Sequence, residues 1–239
     1  MRKTPQILRC FRRLALLLAL GTLGVSAVFA QAAGAELRLS LVSPKRQYLL
    51  GEPVKLKATL MNASTKPLDL LALMAPRFGS LMLGISDDNR TFKNYLGPDW
   101  GVADVDAKPK RLQPGQQIDQ EFTVLWNHPT PGGRDTLVGD FAFPEAMTYW
   151  LRVQLADQEP VGASNIVQIS VARPSGDNAA IWEIMKADPQ IAYYLQNPRS
   201  DIEPGYKSKL ESLRNQYPNS TYAPYLREAM EKLAGGNRR

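Results

Sequence analysis

Across residues 37–171 apolar side chains recur at every second position, in short runs broken by Pro, Gly, Asn and Asp, and a period of two is the signature of a β-strand with one buried face. Leu37, Leu39 and Leu41 open the pattern with polar neighbours between them. Gly51-Glu52-Pro53 turns the chain into Val54, Leu56, Ala58 and Leu60, and Asn62-Ala63-Ser64-Thr65-Lys66-Pro67 turns it back into a strand over 68–73, which predicts a hairpin. A strand is expected over 81–85, ending at Asp87-Asp88-Asn89. After the Gln113-Pro114-Gly115 turn come Ile118, Phe122, Val124 and Trp126; Met147, Tyr149, Leu151, Val153 and Leu155 then alternate in phase, and 166–171 supplies a last strand. About seven or eight short strands at this spacing predict an all-β immunoglobulin-like sandwich over 37–172.

At Arg173-Pro174-Ser175-Gly176 the period changes from two to that of a helix, so a small α-helical subdomain is expected over 177–236. Asp177 is placed to cap a short helix through Ile181, Trp182 and Met185, and Asp188-Pro189 to start a second one over 191–195. Leu210, Leu213 and Tyr217 mark a third helix. Tyr222, Tyr225, Leu226, Met230 and Leu233 mark a fourth, with Ser220 as its cap, and the last two are expected to pair as a hairpin. Trp182 is expected to pack this tail against a neighbour.

Residues 1–30 read as a secretory signal peptide. Arg2, Lys3, Arg9, Arg12 and Arg13 precede an apolar run from Leu14, and small residues at Val28 and Ala30 flank a cut before Gln31. The run holds Gly21, Gly24 and Ser26, so no transmembrane segment is expected after cleavage. The chain carries 29 Lys and Arg against 23 Asp and Glu. Five of those positive charges and no negative one precede Gln31, which leaves 24 against 23 and removes the electrostatic case for nucleic acid. The single cysteine, Cys10, lies in the same segment, so the remainder has no disulfide and no thiol chemistry. A periplasmic or secreted location follows as the expectation.

Few residues beyond it point to catalysis. His128 is the one histidine, without a second for a metal or a serine elbow for a triad, and reads as structural or solvated. Paired carboxylates for glycoside hydrolysis could come from Asp99, Asp104 and Asp106 or from Asp87 and Asp88, the latter pair also explained by turn chemistry. Tyr95 and Trp100 stand beside Gly and Pro in an irregular stretch. Aromatics on a loop offer flat apolar faces to sugars or peptide side chains, so these two are the candidate binding residues, the alternative being that Trp100 plugs the end of the sandwich. Trp126 and Trp150 are expected in the core or on a sheet face. No cofactor and no metal is expected.

The motifs Tyr48-Leu49-Leu50-Gly51-Glu52-Pro53-Val54, Asn62 to Ser64, Leu112-Gln113-Pro114-Gly115 and Tyr149 to Val153 resemble a recurring bacterial exported immunoglobulin-like domain. They are also similar, distantly, to BsuPI-type proteinase-inhibitor domains, with Glu145-Ala146-Met147-Thr148 standing where that family has Pro-Gly. Tyr217-Pro218-Asn219-Ser220-Thr221-Tyr222-Ala223 is similar to the join of tetratricopeptide-like helix pairs. The immunoglobulin-like resemblance says little of function; the strand pattern, the tetratricopeptide-like tail and the missing catalytic sets lead to the expectation of an exported, non-catalytic protein of the bacterial cell envelope that binds an envelope or extracellular protein, or a glycan. A proteinase inhibitor using the sandwich loops and a carboxylate-dependent polysaccharide hydrolase are the other readings.

Overall fold

The structure, a computed structural model, describes residues 36–70, 81–97, 110–128, 139–155, 162–198 and 202–235. The expected signal peptide, Asp99, Trp100, Asp104 and Asp106 lie outside the described residues. The elements run β1 (Leu37–Val42), β2 (Gln47–Leu49), β3 (Val54–Asn62), β4 (Leu68–Leu70), β5 (Leu81–Ser86), β6 (Lys93–Asn94), β7 (Lys110–Leu112), β8 (Gln117–Val124), β9 (Trp126–Asn127), β10 (Asp140–Phe141), β11 (Thr148–Leu155) and β12 (Val167–Ala172). Helices α1 (Asp177–Ala187), α2 (Gln190–Gln196), α3 (Pro204–Gln216) and α4 (Ala223–Gly235) follow. The fold is thus mostly β-sheet, with its helices gathered toward the C-terminus.

Two larger sheets carry the alternation. One has the order β1-β3-β8 and is antiparallel; the other has the order β2-β12-β11-β5-β6, antiparallel except for the parallel β12–β2 pair. Leu39 lies opposite Leu60 and Leu41 opposite Ala58. In the second sheet Val153 faces Leu83, Leu155 faces Leu81 and Tyr149 faces Ile169. Because side chains alternate between faces, each register gathers the apolar set on one side, and both buried sides join a single hydrophobic cluster. On the opposite side of β3, Lys57 pairs with Asp119 at 2.8 Å and Thr59 donates to the same carboxylate at 2.7 Å.

The expected hairpin between β3 and the segment from 68 does not form. Both hydrogen-bonding edges of β3 are taken, by β1 and β8, and β4 pairs with β7 instead. Asn62 makes the redirection. Fully buried, it accepts from the Ser64 amide and hydroxyl, donates to the Lys66 and Leu112 carbonyls, and its own backbone carbonyl takes the amide of Gly115 at 2.8 Å. Gly115 sits at φ 76°, so the Pro114-Gly115 turn needs the residue it has. The outer edge of β1 has a different partner: the Asn165 side chain accepts from the Leu41 amide at 3.0 Å and donates to the Leu41 carbonyl at 2.9 Å.

The helices pack onto the sheets and share their core. Trp182 and Met185 of α1 lie directly over Gly51, which is held at φ 74°, and Trp182 also meets Phe141 edge-on at 4.7 Å between ring centroids. From the α4 side, Tyr222 donates to the Leu50 carbonyl at 2.5 Å and Tyr225 to the Glu52 carboxylate at 2.9 Å. Glu52 is buried and also accepts from the Leu49 amide and from Lys45. The Gly51-Glu52-Pro53 turn is therefore the seat of the helical tail. Tyr222, Leu226, Ala229, Met230 and Leu233 form one buried stripe at helical spacing, and α3 packs beside α4 through Leu210 and Leu213.

Three expected caps are not side-chain caps. Gly176, not Asp177, occupies the cap of α1, and Asp177 lies inside the first turn, where its charge complements the helix dipole. Pro189 occupies the cap of α2, while the Asp188 carboxylate turns away to Lys209 at 2.5 Å and Tyr206 at 3.3 Å. Among the described residues the buried Ser220 hydroxyl has no hydrogen-bond partner, although its backbone carbonyl does accept from Ala223.

Candidate binding site beside Tyr95

Where β5 ends, its last residues, β6, the β9–β10 pair and the segment leading into β11 enclose a cavity of about 380 Å3. Local sequence explains the opening. Asp88 closes a tight turn by accepting from the Ser86 hydroxyl and from the amides of Arg90 and Thr91, each at 2.8 Å, and Asn89 at its tip takes φ 58°. This turn ends β5 and sends the chain into the two-residue β6, leaving the space beyond unfilled by strand.

Tyr95, one of the two sequence-derived binding residues, lines this cavity half-buried. Its hydroxyl donates to the Trp126 carbonyl at 3.0 Å and accepts from Gln196 Nε2 at 2.6 Å, so it is already committed within the fold. Burial, partly offset by these bonds, raises its pKa well above that of a free phenol. Gln196 is the last residue of α2, and its Oε1 also accepts the amides of Leu125 and Trp126 at 2.8 and 2.7 Å. One glutamine thus takes up two strand amides where β8 passes into β9, and fixes Tyr95 from below. Trp100, the other expected residue, lies outside the described residues.

Opposite Tyr95, Asn127 Oδ1 accepts from the Leu96 amide at 2.8 Å and from Gly97 at 3.3 Å, holding the loop after β6. The floor is apolar: Ile85, Phe141, Met147 and the edge of Tyr149. The Tyr149 hydroxyl is bound to the Glu145 backbone, and burial, then the charges of Glu145 and Asp87, push its pKa up. Around the rim stand Asp87, Lys93, Asn94 and Glu145, all exposed. Among the described residues none of these four side chains makes a hydrogen bond or ion pair, and Asn127 Nδ2 has no acceptor.

Sequence reasoning named Tyr95 but missed Asn127, Gln196 and Glu145. Gln196 lies 101 positions from Tyr95, and no local pattern marks a glutamine as the partner of a distant strand. His128, left open as structural or solvated, is buried beside Trp126, ring centroids 5.9 Å apart. Trp126 is core, as expected, and Trp150 lies half-buried on β11. Asp87 reaches the cavity rim, whereas Asp88 is spent on the turn.

No protein-family model matches the chain, and no curated protein matches it. Solved structures resemble it weakly. The CARDB domain of a Pyrococcus furiosus protein shares 10% identity at a TM-score of 0.32, covering 58% of this chain and 96% of that domain. The alkylpurine DNA glycosylase AlkC of Pseudomonas fluorescens shares 13% at a TM-score of 0.32, covering 58% of this chain, and a β-glucosidase of Erythrobacter marinus 12% at 0.32, covering 57%. The match spans 31% of the glycosylase and 15% of the glucosidase. Likenesses of this size carry nothing about activity. Among the described residues no helix is long and apolar enough to cross a membrane.

Proposed function

We propose that the chain is an exported, non-catalytic binding protein of the bacterial cell envelope, periplasmic or secreted. In this reading an immunoglobulin-like sandwich presents the cavity beside Tyr95 to an envelope or extracellular protein or glycan. The pairing of two largely antiparallel sheets whose buried faces feed one core supports the sandwich. The basic, then apolar, then small-residue order of residues 1–30 supports export. One observation supports the binding role: four rim side chains without partners among the described residues surround a cavity whose two tyrosine hydroxyls are already hydrogen-bonded.

A photo-reactive residue placed at Asn94 in the producing cell tests this. Adducts are expected from Asn94 and not from Ile184, an exposed apolar position on α1 away from the cavity. Adducts at Ile184 alone, or none at either position, would overturn the reading.

A further inference from the structure

Resting on the binding role just proposed, we infer that the cavity beside Tyr95 takes one residue of a neutral saccharide. Its volume of about 380 Å3 stands at the small end of ligand pockets, which run from roughly 300 to 1,000 Å3. That suits a single ring with its hydroxyls and not an extended segment.

The lining narrows the chemistry further. A ligand with a strong negative charge meets the carboxylates of Asp87 and Glu145, and one with a positive charge meets Lys93. A peptide adding as a strand needs a run of open backbone, and the strand at this wall, β6, has only two residues. Hydroxyl-rich ligands have neither conflict. Each hydroxyl both donates and accepts, so it can give to Asp87 or Glu145 and take from Lys93, Asn94 or Asn127 Nδ2. The apolar C–H face of a sugar ring can lie on the floor made by Ile85, Met147 and Phe141, for which a fully polar ligand has no use. Both phenols, Tyr95 and Tyr149, contribute shape here, because their hydroxyls are bound internally.

The test is calorimetric titration of the full chain with uncharged tetrasaccharides of glucose and of N-acetylglucosamine, beside a hexuronate tetrasaccharide and a tetralysine peptide. At least one uncharged tetrasaccharide is expected to bind in preference to both charged probes. Asn94→Ala and Glu145→Ala should each weaken it about tenfold, the size of one lost ligand hydrogen bond, with Lys186→Ala on α1 unchanged. Preference for a charged probe, binding indifferent to the two rim substitutions, or no binding of any saccharide at millimolar concentration overturns the inference. If a protein adduct still forms from Asn94, only the saccharide assignment falls; if no adduct forms either, the binding role falls with it.

Discussion

Asp88 shows how a single side chain sets the geometry of this protein. Its carboxylate accepts from the Thr91 and Arg90 amides and the Ser86 hydroxyl, and these bonds to the charged form lower its pKa to about 2. A free aspartate titrates near ~3.9, so the contribution to the turn is present above that value and is lost as pH falls through about 2. Carboxyl-detected NMR titration should therefore find Asp88 still ionised at a pH of about 3. A midpoint for Asp88 near ~4 would mean that the turn does not hold in solution. The consequence reaches the cavity beside Tyr95, since this turn directs β6 and Tyr95 along its wall.

At the scale of elements the decisive contact is α1 on the Gly51-Glu52-Pro53 turn. A Cβ on residue 51 would come within 2.7 Å of Trp182 and 2.8 Å of Met185, and the φ of 74° is strained for any L side chain. Gly51→Ala is accordingly expected to cost about 2–4 kcal/mol, combining backbone strain with overpacking, read as a lower urea midpoint at unchanged slope. A loss below about 0.5 kcal/mol would show that α1 does not press on this turn. The sequence made some of this legible and hid the rest, for physical reasons. Alternation located β1, β3, β5, β11 and β12 because each buries one face. It could not say that β3 would prefer β1 and β8 to the segment after Asn62, since pairing is decided by non-local edges. The Asp188-Pro189 signal did mark α2 over 191–195, but no pattern said that its side chains from Gln190 to Leu195 would all be buried; so short a helix is marginal alone and stands because its surroundings hold it. Tyr95 was legible as an aromatic on an irregular loop, whereas the rim around it, Asp87, Lys93, Asn94 and Glu145, converges from three stretches of chain.

The whole molecule behaves as one body among the described residues. Trp126 meets Tyr193 of α2 at 5.3 Å, Phe141 meets Trp182, Lys55 pairs with Glu228 at 2.6 Å, and the helices share the sheets' hydrophobic cluster. A chain truncated after Ala172 would expose Leu50, Leu125, Trp126 and Phe141 together. We expect it to bind a hydrophobic dye and to lose cooperative unfolding, while the intact chain unfolds in one transition coincident by tryptophan fluorescence and circular dichroism. Two separated transitions in the intact chain would contradict that picture. Of the details described above, the pair of bonds from Asn165 to Leu41 has a meaning for life at high concentration. An open strand edge is a template on which other chains can grow, and two amide atoms of Asn165 occupy that edge near its C-terminal end, at Leu41. The protein thereby limits self-association by backbone pairing at this end of β1.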